Sequence, residues 1–462
     1  MHRVNRVPRQ RAKPTFIGSL LFCPLTVRFA ASGTEPELGF LSKRGKRQGE
    51  RVCKTTQNRP GGTDSPSPIG QAGTLFLMRR VYLDYAATTP LDPQVRQAME
   101  PFLQEQFGNP SSLHQWGRQA RMAIDAARET LAHALGCDPA EICFTSSGTE
   151  ACNLALIGTA LKAPPTRRHL LVSAVEHHAV LNAAQWLRPL GYEVELIPVD
   201  SFGQVDADEV RRRIRADTWL VAVMHANNEI GTLQPIEAIG VICRERGVLF
   251  HVDAIQTFGL LPVGVESMGC DLLSVSAHKL YGPKGVGALY IRAGTPLQPL
   301  MVGGGQERER RAGTEHVAGI VGFARAVQIA ETRCHEDAQQ LTRLRDSFIQ
   351  QVQQCVPDVR LTGHPTQRLP GNAHFRFVGV PADSLLIALD RAGIAASSGA
   401  ACSAGSLEPS HVLLALGWDE EAAQQGIRFT LGRHTTHDEL DYTVEVLSRE
   451  VARIRATRSL AS

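Results

Sequence analysis

From Met78 onward, short apolar runs alternate along the chain with longer segments whose apolar residues recur at helical spacing. Five of the short runs are predicted as buried strands: Ile142–Thr145, His169–Ala174, Leu220–His225, Val248–Asp253 and Leu272–Ser276. Helical periodicity marks Gln119–Leu135, Ile236–Arg246 and the longer segment Glu331–Val352. Strands that alternate with helices in this way predict βαβ units, and therefore an α/β fold with a mostly parallel sheet.

The length of 462 residues predicts two domains, because a single core stops growing at about 250–300 residues. Residues 1–77 hold 13 Lys or Arg and 4 Asp or Glu without a sustained period, so we expect a disordered basic extension. It is either a mitochondrial transit peptide or the product of a start codon upstream of Met78, and we favour the second interpretation. We expect a large domain over 78–335, whose first ~15 residues pack with the small domain. The small α+β domain is expected over 336–462.

Composition excludes several classes of function. Residues 78–462 hold 36 Lys or Arg and 42 Asp or Glu, a net charge of −6, which is not the basic surface of a nucleic-acid binder. The ten cysteines form no C-x-x-C motif, so no metal site is predicted. Unpaired thiols indicate a reducing compartment, and we expect the bacterial cytoplasm, or the mitochondrion if residues 1–77 are a transit peptide. No apolar run approaches the roughly 18 residues of a membrane span.

Two polar side chains follow neighbouring predicted strands. Lys279 comes after Leu272–Ser276 and before a glycine-rich turn, and Asp253 closes the preceding strand. A lone lysine here would ordinarily be a surface residue, but a carboxylate at the end of a buried strand has no packing value. A carboxylate can pair with a protonated pyridine nitrogen, and a lysine can bond covalently to an aldehyde. The pair therefore indicates pyridoxal phosphate.

The phosphate of such a cofactor needs an anion site. The strand Ile142–Thr145 is followed by small and hydroxyl residues that lead into a helix starting near Ala151. The free N–H groups at that helix start are suited to phosphate, although a helix capped by Ser147 or Thr149 would have the same sequence. His177, after the strand His169–Ala174, is either a ring-stacking residue or a structural histidine.

Residues 397–406, which we call the cysteine segment, surround Cys402 with small side chains. Because such side chains pack poorly, we expect this segment to be mobile and its thiol to approach and leave a bound substrate. An inert, buried thiol fits Cys152 and Cys243 better, since both lie within helical patterns.

The sequence resembles the cysteine desulfurases of the NifS/IscS class, which are fold-type I pyridoxal-phosphate transferases. The resemblance extends from about Val81 to Arg453 and rests on these stretches: Tyr82–Pro90, Phe107–His114, His225–Gly231, His251–Gln256, Ser276–Gly285, Arg311–Glu315 and Cys402–Val412. It implies an enzyme that removes sulfur from L-cysteine, leaving L-alanine and an enzyme persulfide. It also implies a homodimer that passes the sulfur to an acceptor such as an iron–sulfur scaffold protein.

The resemblance implies a role for each matched site residue. Lys279 would bind the cofactor and move the substrate Cα proton, Asp253 would keep the ring nitrogen protonated, and Cys402 would attack the substrate sulfur. His177 would stack on the ring and assist proton transfer at sulfur. Gln256 would contact the phenolic oxygen of the cofactor, and Asn228 would lie beside the ring and the substrate carboxylate. Arg428 would bind the substrate carboxylate. The phosphate would be bound by Gly148, Thr149, Ser276, His278 and the partner's Thr314. The only metal contact implied is a transient one between Cys402 and an iron–sulfur cluster.

The sequence departs from the family pattern at two places, of which the first is mild and only the second, the missing tail, leaves delivery of sulfur to a scaffold open. Ala400 stands where members often have Ser, and the chain stops soon after Arg453 without the longer tail of IscS-type members, which indicates a NifS-like protein. Selenocysteine lysis, another fold-type I reaction and a non-catalytic sulfur-relay role remain as alternatives. Cys402 argues against a transaminase, and intact Lys279 and Asp253 argue against a non-catalytic platform.

Overall fold

The computed structural model describes residues 79–399 and 409–459. The expectations for residues 1–77 and for Cys402 therefore lie outside the described residues. Within them, the fold is built on one large sheet and a smaller second sheet, both covered by helices.

The large sheet has seven strands in the order β2-β8-β7-β6-β5-β3-β4. They are β2 (Ile142–Thr145), β3 (His169–Ser173), β4 (Glu193–Ile197), β5 (Thr218–Ala222), β6 (Leu249–Asp253), β7 (Leu272–Ser276) and β8 (Gly287–Ile291). The strands from β7 to β4 run parallel, whereas β8 is antiparallel to both β7 and β2. The prediction of an α/β fold with a mostly parallel sheet is confirmed. The predicted strand ending at His225 was too long, since β5 ends at Ala222.

The large sheet is flanked by helices that bury apolar faces against it. They are α1 (Pro93–Gln104), α2 (Gln115–Leu135), α3 (Gly148–Ala160), α4 (His178–Leu187), α5 (Ala207–Arg213), α6 (Ile236–Arg246) and α7 (Val265–Met268). Local signals set the bounds of α2: the His114 side chain accepts from the N–H of Gly117 at its start, and Gly136 adopts a left-handed conformation at its end. Because β2 and the strands from β7 to β4 run in one direction, their carboxyl ends lie at the same end of the sheet.

The remaining elements form a second unit of sheet and helices. They are β1 (Val81–Tyr82), α8 (Val317–Cys355), β9 (Val359–Thr362), β10 (Asn372–Phe377), α9 (Ala382–Arg391), β11 (Ile394–Ala395), α10 (His411–Ala415), α11 (Glu420–Ala423), β12 (Gly426–Thr430) and α12 (His437–Ser459). The order β12-β10-β9 makes an antiparallel three-stranded sheet, and β1 pairs in parallel with β11.

The buried apolar side chains separate into distinct clusters along α8. Residues up to Ala330 pack under the large sheet, and residues from Leu341 onward pack with Val81 and Leu83 against the second sheet. The helix α8 runs through residue 335 without a break, and the predicted segment Glu331–Val352 is part of it. The division into domains at residue 335 remains a proposal. Among the described residues, no helix has the length and apolar character of a membrane span.

Candidate active site

Lys279 lies in a short 3₁₀ turn, Ala277–Lys279, directly after β7. Its ammonium donates to the carbonyl oxygens of Ala86 and Ala87, the second at 2.9 Å. The strand places the lysine at the carboxyl end of the parallel sheet, and the N-terminal segment before α1 holds the amine in a cleft of about 360 Å³. A cleft of this size accommodates a cofactor together with a small amino acid.

Asp253 ends β6, the strand next to β7, and lines the same cleft as Lys279. Its carboxylate is buried, accepts from the N–H of Ile255 at 2.9 Å and contacts the thiol of Cys152 at 3.8 Å. Burial raises the pKa of Asp253 to about 6, and the charge of Lys279 acts in the opposite direction. A buried carboxyl group of this kind is stabilised in its ionised form when a cation in the cleft pairs with it.

The predicted anion site is formed where α3 begins. Ser147 caps the helix by accepting from the N–H of Glu150 at 3.1 Å, while Gly148 and Thr149 start the helix and line the cleft. A side-chain carbon at Gly148 would lie 2.3 Å from Cδ1 of Ile255, so a larger residue here would displace the flexible end of that side chain. The helix start therefore presents backbone N–H groups to the cleft.

Ser276 and His278 flank the same helix start. The hydroxyl of Ser276 is buried and has no hydrogen-bond partner within the described part of the chain. Nδ1 of His278 is 3.2 Å from the hydroxyl of Thr88, and burial, followed by the charges of Lys279 and Lys284, lowers the pKa of His278 to about 4. An orphaned hydroxyl beside free N–H groups fits a phosphate group, since a buried polar atom is costly without a partner.

His177 lies at the start of α4 and lines the cleft. Its Nδ1 accepts from the N–H of Ala179 at 3.0 Å. Burial, followed by the charge of Lys279, lowers the pKa of His177 to about 4, so the imidazole is neutral near pH 7. Gln256 also lines the cleft, and its amide donates to the carbonyl of Ala86 at 3.1 Å.

Arg428 reaches the cleft from β12 of the second sheet. Its guanidinium donates to the carboxylate of Asp84 at 2.8 Å and to the carbonyl of Asn228 at 2.9 Å. The side chain is only 2% exposed, and its Nε has no partner among the residues described. Arg428 thus lines the cleft with a guanidinium whose two terminal nitrogens each make one hydrogen bond within the described residues and carry a second N–H group.

The structure brings together most of the residues singled out from sequence. One cleft is lined by Gly148, Thr149, His177, Asn228, Asp253, Gln256, Ser276, His278, Lys279 and Arg428. Thr314 instead lines a separate cleft of the same chain, with Ser146 and Arg311. Cys402 lies outside the described residues, but Gly399, three positions before it, lines the main cleft.

Sequence reasoning missed three contributors. Asp84 pairs with Arg428, Cys152 contacts Asp253, and the carbonyl of Ala86 accepts from Lys279. Asp84 stood within a stretch used for the family resemblance, and its polar character beside buried Leu83 was the available signal. A backbone carbonyl leaves no signal in sequence.

The residues that line the cleft fit pyridoxal phosphate. The helix start and the orphaned Ser276 hydroxyl suit the phosphate, the buried carboxylate of Asp253 suits a protonated pyridine nitrogen, and Lys279 offers the amine. This donor set and the sheet order are those of a pyridoxal-phosphate enzyme with an α/β fold.

Comparison with known proteins identifies the family. The class-V aminotransferase family ("Aminotransferase class-V") matches residues 81–443, and the chain belongs to it. Curated relatives include the cysteine desulfurase IscS of Dictyoglomus turgidum, 51% identical over 82% of this chain and 96% of that protein. The cysteine desulfurase IscS of Methanosarcina thermophila is 46% identical over 82% of this chain and 93% of that protein.

Solved structures agree with the sequence relatives. A NifS-like protein matches with a TM-score of 0.77 and 38% identity, covering 81% of this chain and all of that one. A structure described as SspA in complex with cysteine matches with a TM-score of 0.68 and 36% identity over 77% of this chain and all of that one. The resemblance to NifS/IscS cysteine desulfurases, the fold-type I architecture and the pyridoxal-phosphate cofactor are thereby confirmed.

Proposed function

We propose that the chain removes sulfur from L-cysteine through Lys279, His177, Arg428 and Cys402, and leaves the sulfur as a persulfide on Cys402. The observation that carries this proposal is the convergence of Lys279, Asp253 and the start of α3 on one cleft, beside the beginning of the cysteine segment. When bound, pyridoxal phosphate supplies a ring that accepts electrons from the substrate carbon.

Each of the chain's residues has a task that its surroundings support. Lys279 holds the cofactor and moves the proton at the substrate Cα. Asp253, ionised when it faces a cation, keeps the ring nitrogen protonated. His177 stacks on the ring and assists proton transfer at sulfur through Nε2, because its Nδ1 already accepts from the N–H of Ala179. Arg428 holds the substrate carboxylate with donors in a fixed fork.

Cys402 is proposed as the nucleophile. It follows Gly399, which lines the cleft, by three positions along the chain. Its thiolate would attack the substrate sulfur, so that an S–S bond forms while the substrate C–S bond breaks. The carbon skeleton takes up protons and leaves as L-alanine.

Absorbance of the purified protein tests the cofactor assignment. We expect a yellow protein whose visible absorbance disappears in Lys279→Ala and persists in the control Lys284→Ala, since Lys284 is exposed nearby. A colourless wild type saturated with pyridoxal phosphate would overturn the proposal.

Sulfide release from L-cysteine tests the nucleophile. Cys402→Ala should keep the colour and lose sulfide formation, whereas Cys355→Ala, at an exposed cysteine, should behave as wild type. Retained turnover in Cys402→Ala would assign the nucleophile to another residue. The same assay with L-selenocysteine separates a desulfurase from a selenocysteine lyase by their relative rates.

We also propose a homodimer in which the partner's Thr314 completes the phosphate site. Two observations support it: Thr314 lies away from the main cleft of its own chain, and large apolar side chains are exposed around α1 and α2. The exposed fractions are 58% for Leu103, 74% for Phe107, 90% for Leu113, 53% for Trp116 and 70% for Met122. A surface of this kind marks a protein interface. Sedimentation should give a dimer, and Thr314→Ala should weaken cofactor binding; a monomer with unchanged affinity would contradict the proposal.

The sulfur acceptor and the compartment are likewise proposals. We propose an acceptor protein such as an iron–sulfur scaffold, because a persulfide on Cys402 must be unloaded before the next turnover. We propose a reducing compartment, the bacterial cytoplasm first, because Cys137, Cys143, Cys152, Cys243, Cys270, Cys334 and Cys355 are all free thiols. Transfer of labelled sulfur from the wild type, and none from Cys402→Ala, would identify the acceptor.

A further inference from the structure

Tyr281, two positions after Lys279, has a backbone conformation that residues other than glycine rarely adopt. Its φ is +63°, in the left-handed region, where a bulky side chain is strained. Strain of this kind persists only where surrounding contacts hold the residue in place, and it is concentrated at functional sites. The contacts of Tyr281 therefore bear on what the residue does for its neighbour Lys279.

The backbone of Tyr281 belongs to the turn that carries Lys279, residues 277–282, which we call the lysine turn. The N–H of Gly282 donates to the carbonyl of Ala277 at 3.0 Å, which closes the turn. The N–H of Tyr281 donates to the hydroxyl of Thr89 at 2.8 Å. Because the turn is short and closed, a displacement of Tyr281 would displace Lys279 with it.

The side chain of Tyr281 contacts Arg433 in two separate ways. The Tyr281 hydroxyl accepts from the backbone N–H of Arg433 at 2.6 Å, and the Arg433 guanidinium lies 4.3 Å from the centroid of the Tyr281 ring. The guanidinium also donates to the carboxylate of Asp337 in α8 at 2.9 Å and to that of Asp92, which caps α1, at 3.3 Å. Arg433 is only 10% exposed, so it is a fixed anchor for the Tyr281 ring.

Arg433 lies three positions after the end of β12, the strand that carries Arg428. The contact between the Tyr281 and Arg433 side chains therefore joins the lysine turn to this strand. Lys279 and Leu431 line a cavity of about 70 Å³ between the same two elements. Packing there is incomplete, so the contact has more weight in fixing their separation.

We infer that Tyr281 is a positioning residue for proton transfer at the substrate Cα: its contact with Arg433 sets the distance between the lysine turn and the strand of Arg428. The inference rests on the proposed roles of Lys279 and Arg428, which move the Cα proton and hold the substrate carboxylate. A misplacement of about 1 Å between reacting groups can slow a reaction about a hundredfold. Binding itself should change little, because no group that binds substrate or cofactor is removed.

Deuterium exchange at the Cα of L-alanine, the proposed product, tests the inference in the cofactor-loaded, full-length protein. In deuterium oxide the Cα–H bond breaks, its electron pair passes to the bound cofactor, and the proton passes to the Lys279 amine and exchanges with solvent. A deuteron then returns to Cα, and NMR measures the rate without involving Cys402.

Two substitutions remove the two contacts separately. Tyr281→Phe removes the hydroxyl and keeps the ring, and Arg433→Lys removes the planar guanidinium from the ring and keeps the charge. We expect each to lower the exchange rate at saturating L-alanine about tenfold. The L-alanine concentration that gives half of the maximal rate, and the visible absorbance of the bound cofactor, should stay within about twofold of wild type.

Tyr442→Phe and Arg292→Lys are matched controls away from the cleft. The Tyr442 hydroxyl also bonds to a backbone group, the carbonyl of Ala392 at 3.0 Å, and a guanidinium lies 5.0 Å from its ring centroid. Arg292 likewise pairs with two carboxylates and lies 6.0 Å from an aromatic ring centroid. Both controls should exchange deuterium at the wild-type rate.

Exchange at the wild-type rate in either folded variant, Tyr281→Phe or Arg433→Lys, would overturn the inference, and if one of them fails to fold the other decides. A rise in the half-saturating concentration in proportion to the loss of rate would also overturn it, since that result is expected of a cleft that has merely loosened. A cofactor-loaded wild type that exchanges no deuterium into L-alanine would instead refute the proposed role of Lys279.

Discussion

The Asp253 carboxyl should destabilise the protein at neutral pH whenever the cofactor is removed. In the folded chain the carboxyl is buried, its hydrogen-bond donors are an N–H and a weak thiol, and its pKa rises from 3.8 to about 6. The perturbation that exposes this cost is Asp253→Asn, which keeps the shape and the oxygen that accepts from Ile255 but carries no charge.

The size and sign of the effect follow from the two pKa values. The raised folded-state pKa means that the protonated carboxyl contributes stability fully below about pH 3.8 and loses it as the pH rises through about 6. At 1.36 kcal/mol per pH unit, the loss is on the order of 3 kcal/mol. Cofactor-free Asp253→Asn should therefore be more stable than the cofactor-free wild type by about this amount at pH 8, and equally stable near pH 4.

Urea unfolding of both cofactor-free proteins from pH 4 to pH 8 measures this difference. Asp125→Asn, at an exposed aspartate in the middle of α2, is the control and should follow the wild type at every pH. With cofactor added, the order should reverse, because only the carboxylate pairs with a protonated ring nitrogen. If cofactor-free Asp253→Asn were no more stable than wild type at pH 8, the claim that the buried Asp253 carboxylate is destabilising without a cationic partner would be refuted.

Three further changes test other parts of the cleft. Gly148→Ala should raise the dissociation constant for pyridoxal phosphate about threefold, because the added carbon, 2.3 Å from Cδ1 of Ile255, would displace that side chain where it lines the cleft; fluorescence titration measures the constant, and unchanged affinity would contradict the phosphate site. Arg428→Lys should raise KM for L-cysteine about tenfold with the absorbance unchanged, since an ammonium group cannot make the two parallel hydrogen bonds that a guanidinium makes to a carboxylate. An unchanged KM would argue against a contact between Arg428 and the substrate carboxylate. His177→Gln should keep the colour and lower kcat about a hundredfold. In the wild type, protonation of His177 should cause no loss of activity as the pH falls through 6.5, the ordinary pKa of histidine. Burial lowers the pKa of His177 to about 4, so its imidazole stays neutral above that pH.

The strands that the sequence predicted are those whose residues are buried on both faces. Interior strands such as β6 and β7 are mostly apolar and buried along their length, so their positions were predicted to within about two residues. Two strands of the large sheet were missed. β4 lies at the sheet edge and exposes Glu193, which interrupts its apolar pattern. β8 is a buried apolar run like the predicted strands, so its position could have been predicted from the sequence.

The site was predictable as far as it depends on strand ends. Lys279 and Asp253 follow adjacent strands, so their convergence follows from the order of a parallel sheet. The ion pair between Asp84 and Arg428 joins residues 344 positions apart and depends on how β1 and β12 pack, which no local pattern encodes.

Borohydride reduction followed by peptide mapping tests the central claim, that the amine of Lys279 is the attachment point for the cofactor in this cleft. Reduction should fix a pyridoxyl phosphate group irreversibly on the peptide that contains Lys279, and on no other lysine in stoichiometric amount. A label found instead on Lys284 or Lys162, or no label on a protein that remains active on L-cysteine, would contradict the account.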